Sequence, residues 1–264
     1  MDPQLPSLSE DTTLNNLMLE KVNSGTDSRR TQYCPARPAD AFIVPILKEY
    51  IEKFLDELEP DQADRVLDVG CGRQPFRKKL EAKGYRYFGL DMTQNPENSV
   101  DFLCSIDQSL PEAILRVAPF QVVLCTEVLE HVADWEFAFS NLYNLISNDG
   151  LLFITCPHFY PLHDEPYDYW RPTPHVINFF ASKFNFSIQY QINAGCALDV
   201  LGTLLGNIYF QIDRKGASDY FLLYTLKIFR RLVFTALKSN LFQRRINSTG
   251  FYLSNIILMK KESR

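Results

Sequence analysis

Apolar positions recur along this chain with two periods. In ADAFIVPILKEYIEKFLDEL, residues 39–58, Phe42, Ile46, Ile51, Phe54, Leu55 and Leu58 keep helical spacing, which predicts a helix packed on a core. From residue 65 short, nearly continuous apolar runs (RVLDVG, YRYFGLD, VDFLCSI, FQVVLCT and GLLFITC) alternate with helical stretches, RKKLEAKG, PEAILRVA and DWEFAFSNLYNLI. Asp134 is placed to cap the last of these helices, and Asn148-Asp149-Gly150 to stop it. Strands without polar alternation are buried on both faces, so the pattern predicts an α/β fold with a doubly wound, mostly parallel sheet. Further on, HVINFFASKF reads as a helix, NFSIQYQIN as a strand and TGFYLSNIILMKK as a final, antiparallel strand. Between those two strands lies a helical insertion at about 196–246. Residues 1–33 are polar with scattered leucines and read as a flexible lead-in with a short helix near Leu14–Val22, leaving 34–264 as the folded domain.

Composition supports a globular chain able to bury its own core: 264 residues, 46% hydrophobic and 22% charged. The net charge of −5 hides a segregation, because residues 1–219 carry 18 basic and 31 acidic side chains while 220–264 carry 9 basic and 1 acidic. In the insertion, Lys227, Arg231 and Lys238 fall within ~40° of one another on a helix, with Arg230 beside them. Two readings of 219–246 stay open: a helix lying on an anionic membrane surface, or a lid or homodimer helix with a solvated basic edge. The acidic body and the absence of any recognisable module argue against nucleic acid as a partner. No pair among the six cysteines has CxxC spacing, so reduced thiols in a cytoplasmic protein are expected. The polar N-terminus does not read as a signal peptide, and no run reaches the ~20 apolar residues that a membrane span needs. The expected location is the cytoplasm, with peripheral contact at the inner membrane face under the first reading of 219–246.

The richest stretch is VLDVGCG at 66–72, a buried strand ending in Asp68 and a turn holding Gly70 and Gly72. Asp91 follows at the tip of the second strand, where an acid can accept from both hydroxyls of a ribose. A dinucleotide site would want GxGxxG or GxGxxA, but the third position here is Pro75. Asp68 would also repel a pyrophosphate, whereas it suits the cationic methionine moiety of S-adenosylmethionine. With CTEVLEHV at 125–132, these motifs make the stretch 65–157 resemble class I S-adenosylmethionine-dependent methyltransferases of the type 11 and type 23 group. The resemblance implies a Rossmann-like methyltransferase fold and S-adenosylmethionine as cofactor. It also implies that Asp68 and the Gly70–Cys71–Gly72 backbone hold the methionine end, Asp91 the ribose and Met92 the adenine. Ser105, Ile106 and Asp107 follow the third strand where the family contacts the adenine amine, and Thr126 and Glu127 complete the set.

PHFYPLHDEPYDYWRPTPH at 157–175 follows the fifth strand and so lies over the carboxyl edge of the sheet. Its aromatic residues suit a flat acceptor and Arg171 an anionic group, making His158, Tyr160, Tyr167, Tyr169, Trp170 and Arg171 candidates for acceptor binding. The alternative is a proline-stiffened plug whose polar groups satisfy the backbone. A hydroxyl acceptor benefits from a general base; His163 is the first candidate, then His131 and Asp168. His131 equally suits bonding the backbone of a neighbouring loop. No HxH or HExxH spacing points to a metal. YPLH-x-x-PYDYWR-x-TP looks like methyltransferases of glycan pathways, so the expected acceptor is a hydroxyl of a glycan or lipid-linked intermediate. A small metabolite, a quinone or a non-catalytic donor-binding subunit is the alternative.

Overall fold

The computed structural model describes residues 32–61, 64–208, 216–239 and 250–263. The helix expected near Leu14–Val22 and the stretch 240–246 of the insertion lie outside these residues. Among the described residues seven strands form one sheet in the order β3-β2-β1-β4-β5-β7-β6. They are β1 (Arg65–Val69), β2 (Arg86–Asp91), β3 (Phe102–Leu103), β4 (Phe120–Thr126), β5 (Ile146–Pro157), β6 (Phe186–Ala194) and β7 (Ser254–Lys261). β1 to β5 pair parallel, and β7 runs antiparallel between β5 and β6, as expected for the last strand.

Alternate residues of each strand feed opposite layers, which is why the strands read as unbroken apolar runs. Leu67, Val69, Val123, Cys125, Leu152 and Ile154 join one core with Trp135 and Phe139 of α4 (Trp135–Leu145) and Ile177 of α5 (Pro174–Lys183). Val66, Val122, Leu124 and Phe153 face the other way. They meet Ile43, Leu47, Ile51 and Leu55 of α1 (Asp40–Glu57) and Leu80 of α2 (Arg77–Ala82). The insertion contributes α6 (Ala197–Asn207) and α7 (Ala217–Lys238) to this second layer, while the short α3 (Glu112–Val117) precedes β4. All six cysteines are free thiols.

Two boundaries differ from the sequence expectation. Asp134 does cap α4, accepting from Phe137 N–H at 2.9 Å, but the helix ends at Leu145 and β5 starts at once. Asn148-Asp149-Gly150 therefore lies inside the strand, with Asp149 at a φ of +60°. The run VDFLCSI pairs only at Phe102 and Leu103; beyond them Cys104 and Ile106 pack on the core from a loop.

Strand order reverses between β1 and β4, and open α/β sheets bind ligands at the carboxyl edge beside such a switch point. The segments leaving β1, β4 and β5 meet there.

Candidate active site

An open cleft of about 170 Å³ lies over the ends of β1 and β4. Its floor is the turn after β1. Gly70 and Gly72 take φ values of +67° and +51°, in the left-handed region that side chains disfavour. A Cβ on Gly70 would stand 2.3 Å from Val128 Cγ2, so glycine is needed there for the close approach of two loops. A Cβ on Gly72 would meet nothing within 4 Å, because that side of the turn faces open space.

The tip of β2 is tied to this turn. Gly70 and Cys71 N–H both donate to Leu90 O, and Gly72 N–H donates to Asp91 Oδ2 at 2.9 Å. Asp91 Oδ1 accepts from Thr93 N–H at 3.2 Å, which fixes the carboxylate plane while leaving lone pairs on both oxygens. Asp68 is 2% exposed and accepts from Tyr87 Oη–H at 2.6 Å. Burial pushes its carboxyl up to about 7; the Tyr87 bond works against that rise and nearby Asp91 adds to it. A buried acid poised at neutrality beside an open glycine turn fits a ligand with a cationic group and a ribose. The residues thus fit the methyl donor.

Around the adenine position the picture is mixed. Met92 is 61% exposed and free to cover a ring. Ser105 Oγ–H donates to Asp107 Oδ1, and Asp107 Oδ2 accepts from Asp134 N–H at 3.2 Å. Ile106 does not turn its side chain toward a ligand: it is core, and its carbonyl accepts from Asn141 Nδ2–H at 2.7 Å. Thr126 and Glu127 line the cleft with Asp68 and the Gly70–Gly72 turn.

The opposite wall brings His131 and His163 together, with ring centroids 4.7 Å apart. His163 Nδ1 lies 3.2 Å from Pro161 O and 3.3 Å from Asp168 Oδ2, and His131 Nδ1 lies 3.0 Å from Tyr167 O. A carbonyl can only accept, so Nδ1 carries a proton on both rings, and the remaining ring nitrogens are the two Nε2 atoms. Those Nε2 atoms stand 3.8 and 3.9 Å from Oε1 of the fully buried Glu130. Burial, and next the neighbouring His131, hold His163 below the usual histidine range despite the pull of Asp168. Glu130, His131 and His163 offer ligand atoms within 4.8 Å of one another, a grouping that could seat a metal ion and that sequence spacing did not reveal.

Most other loop candidates serve the loop itself. Arg171 spends all five N–H donors: Nε on Tyr160 O, Nη1 on Asp168 Oδ1 and Trp170 O, Nη2 on Asp168 Oδ2 and Pro161 O. It has no donor left for an acceptor. Asp168 accepts these and His163 N–H at 2.9 Å; burial opposes ionisation, but Arg171 and His163 outweigh it and hold its carboxyl low. It is a positioning residue and a poor base. Trp170 Nε1–H donates to Val132 O at 2.8 Å, pinning the loop to the segment after β4. His158 stacks on Tyr252 at 4.2 Å with Nδ1 at 3.0 Å from Pro172 O, and Tyr160 is buried between Arg37 and Asp40. Tyr167 and Tyr169 stand exposed, outside the cleft lining. Tyr33, Arg37, Phe76 and Asp164 do line it, and no motif marked them. Arg37 Nη2–H donates to Tyr160 Oη at 2.8 Å and Tyr160 Oη–H donates to Asp40 Oδ1, which joins the start of α1 to the loop's aromatics.

Residues 43–185 match the family model described as a methyltransferase domain. Among curated proteins, the chain is 35% identical to a ubiquinone biosynthesis O-methyltransferase of Hahella chejuensis over 31% of this chain and 38% of that one. It is 29% identical to the protein of that name from Neisseria meningitidis serogroup C, over 43% of this chain and 50% of that one. The matches thus span half or less of these relatives' length. A SAM dependent methyltransferase from Archaeoglobus fulgidus shares the fold, with a TM-score of 0.50 and 16% identity over 82% of this chain and 94% of that one.

Proposed function

This chain belongs to the methyltransferase-domain family and is a class I S-adenosylmethionine-dependent methyltransferase, and from that premise we propose that it methylates a hydroxyl on a small aromatic or quinol acceptor. S-adenosylmethionine, when bound, supplies an electrophilic methyl group on a sulfonium. The observation that carries the proposal is the His131–His163 pair facing the Gly70–Gly72 turn across one cleft. His163, neutral at physiological pH and with its proton fixed on Nδ1, offers Nε2 to take the proton from an acceptor hydroxyl. A positioned base of this kind contributes roughly 10²–10⁴-fold. Asp68 holds the donor's cationic end, Asp91 its ribose, and the loop 158–173 limits water at the reacting atoms.

The curated relatives named for ubiquinone biosynthesis favour an aromatic or quinol oxygen over the glycan hydroxyl that the YPLH-x-x-PYDYWR stretch pointed to. Loss of Arg171 as an anion contact and of His158 as a ring platform removes much of the support for a sugar site. A second reading rests on the grouping of Glu130, His131 and His163: a divalent cation there would lower the acceptor's own pKa. The test is methyl transfer from isotopically labelled donor to a catechol, a short-chain quinol and an oligosaccharide, each with and without chelator. Product on the catechol or quinol in both conditions supports the proposal. Product on the oligosaccharide alone reverses it, and loss under chelation that magnesium restores favours the second reading.

A further inference from the structure

Helix α7 buries only one of its sides. Leu223 and Leu237 are buried, and Phe234 meets the Phe42 ring of α1 edge-on at 5.2 Å. At 3.6 residues per turn the opposite side carries Phe221, Tyr224, Ile228 and Leu232, and these are 75%, 67%, 43% and 65% exposed. Of the twenty large apolar side chains exposed among the described residues, nine stand on α6 and α7. Such exposure is therefore concentrated rather than scattered, which marks an interaction surface.

The edge of this apolar face is basic. Lys227, Arg231 and Lys238 fall within ~40° of one another, all three are exposed, and no acid follows Asp219 on the helix. Arg230 does not join them: its Nη1–H donates to Ile208 O at 2.5 Å. The sequence expectation that Arg230 stands beside the other three is corrected, and apolar residues occupy the packed side and the exposed side of the helix alike.

We propose that this face of α7 docks on an anionic lipid surface, with its aromatic and aliphatic side chains in the interface and the basic edge against phosphate headgroups. Charge decides between lipid and a second copy of the chain. An antiparallel twofold contact through this face would set two basic edges against each other, and the one acid of α7, Asp219, stands in its first turn accepting from Gly216 N–H at 3.0 Å, whereas an anionic surface neutralises the edges. Among the described residues no helix is long and apolar enough to cross a membrane, so the contact lies in the plane of the interface. The inference stands apart from the identity of the acceptor.

Co-sedimentation with vesicles of phosphatidylcholine alone, and of phosphatidylcholine with phosphatidylglycerol, tests it. The wild-type protein should bind the anionic vesicles at low salt and leave them at ~1 M, where the screening length is about 3 Å. Each basic residue is worth about fivefold, so K227Q/R231Q/K238Q should weaken binding about a hundredfold. F221S/L232S should also release the protein, and circular dichroism and donor affinity matching wild type show that both variants fold. No binding, or equal binding to both kinds of vesicle, overturns the proposal. So does a lipid-free dimer that F221S/L232S splits into monomers, which would make the face a contact between copies.

Discussion

Burial among strand side chains, only partly offset by a single tyrosine hydroxyl, raises the Asp68 carboxyl to about 7, so near neutral pH it is shared between its protonated and ionised forms. A cation bound beside it stabilises the charged form, so donor binding and proton release are linked. The sign follows: below about 7 the free protein holds a proton that binding must expel, and affinity falls about tenfold per pH unit of acidification. Above that value the acid is already ionised and affinity levels off. Calorimetric titration with S-adenosylhomocysteine across this range should show that slope in the wild type, and Asp68→Asn should be flat. A slope that persists in Asp68→Asn assigns the proton to another group. The glycine turn and its acids were legible in the sequence because backbone conformation and charge leave a trace in residue type. The fate of Arg171 was not: three of its five donors go to main-chain carbonyls, which look the same whatever residue carries them.

At the scale of the element, the loop after β5 is an ordered strap. Tyr169 and Trp170 N–H both donate to Glu130 O, Trp170 reaches Val132, and the Arg171–Asp168 pair closes the strap on itself. Removing one partner of a pair whose carboxylate is 1% exposed leaves a charge without its counter-ion. Arg171→Met should therefore cost about 3 kcal/mol in urea denaturation and expose the strap to proteolysis, while Arg171→Met/Asp168→Leu should recover part of the loss. A single variant as stable as wild type would mean that the clamp does not hold the strap. Sequence placed this loop correctly at the sheet edge yet mistook structural bonds for ligand contacts, since proline, aromatic and charged residues are needed for either task. Boundaries were read less well where turn residues sit inside pairing: Asn148-Asp149-Gly150 marks a left-handed residue within β5 and no break in the chain's path.

For the whole molecule, alternating apolar runs made the doubly wound sheet readable, because burial on both faces erases the polar period of a strand. Where β7 inserts was settled by pairing between residues about a hundred positions apart, such as Ile154 with Ile257, which no local pattern carries. The same architecture sets the two halves of the cleft: β1 and the turn after it supply one, while the segments after β4 and β5, with Tyr33 and Arg37 ahead of α1, supply the histidines and the opposite wall. The central claim is that these halves form one site in which His163 takes the acceptor's proton. The direct measurement is the turnover of His163→Gln with saturating donor and a catechol acceptor, beside its donor dissociation constant. Turnover should fall by about 10²-fold or more with the donor constant within about twofold of wild type, since His163 lies on the acceptor wall. Undiminished turnover in the folded variant would contradict the account.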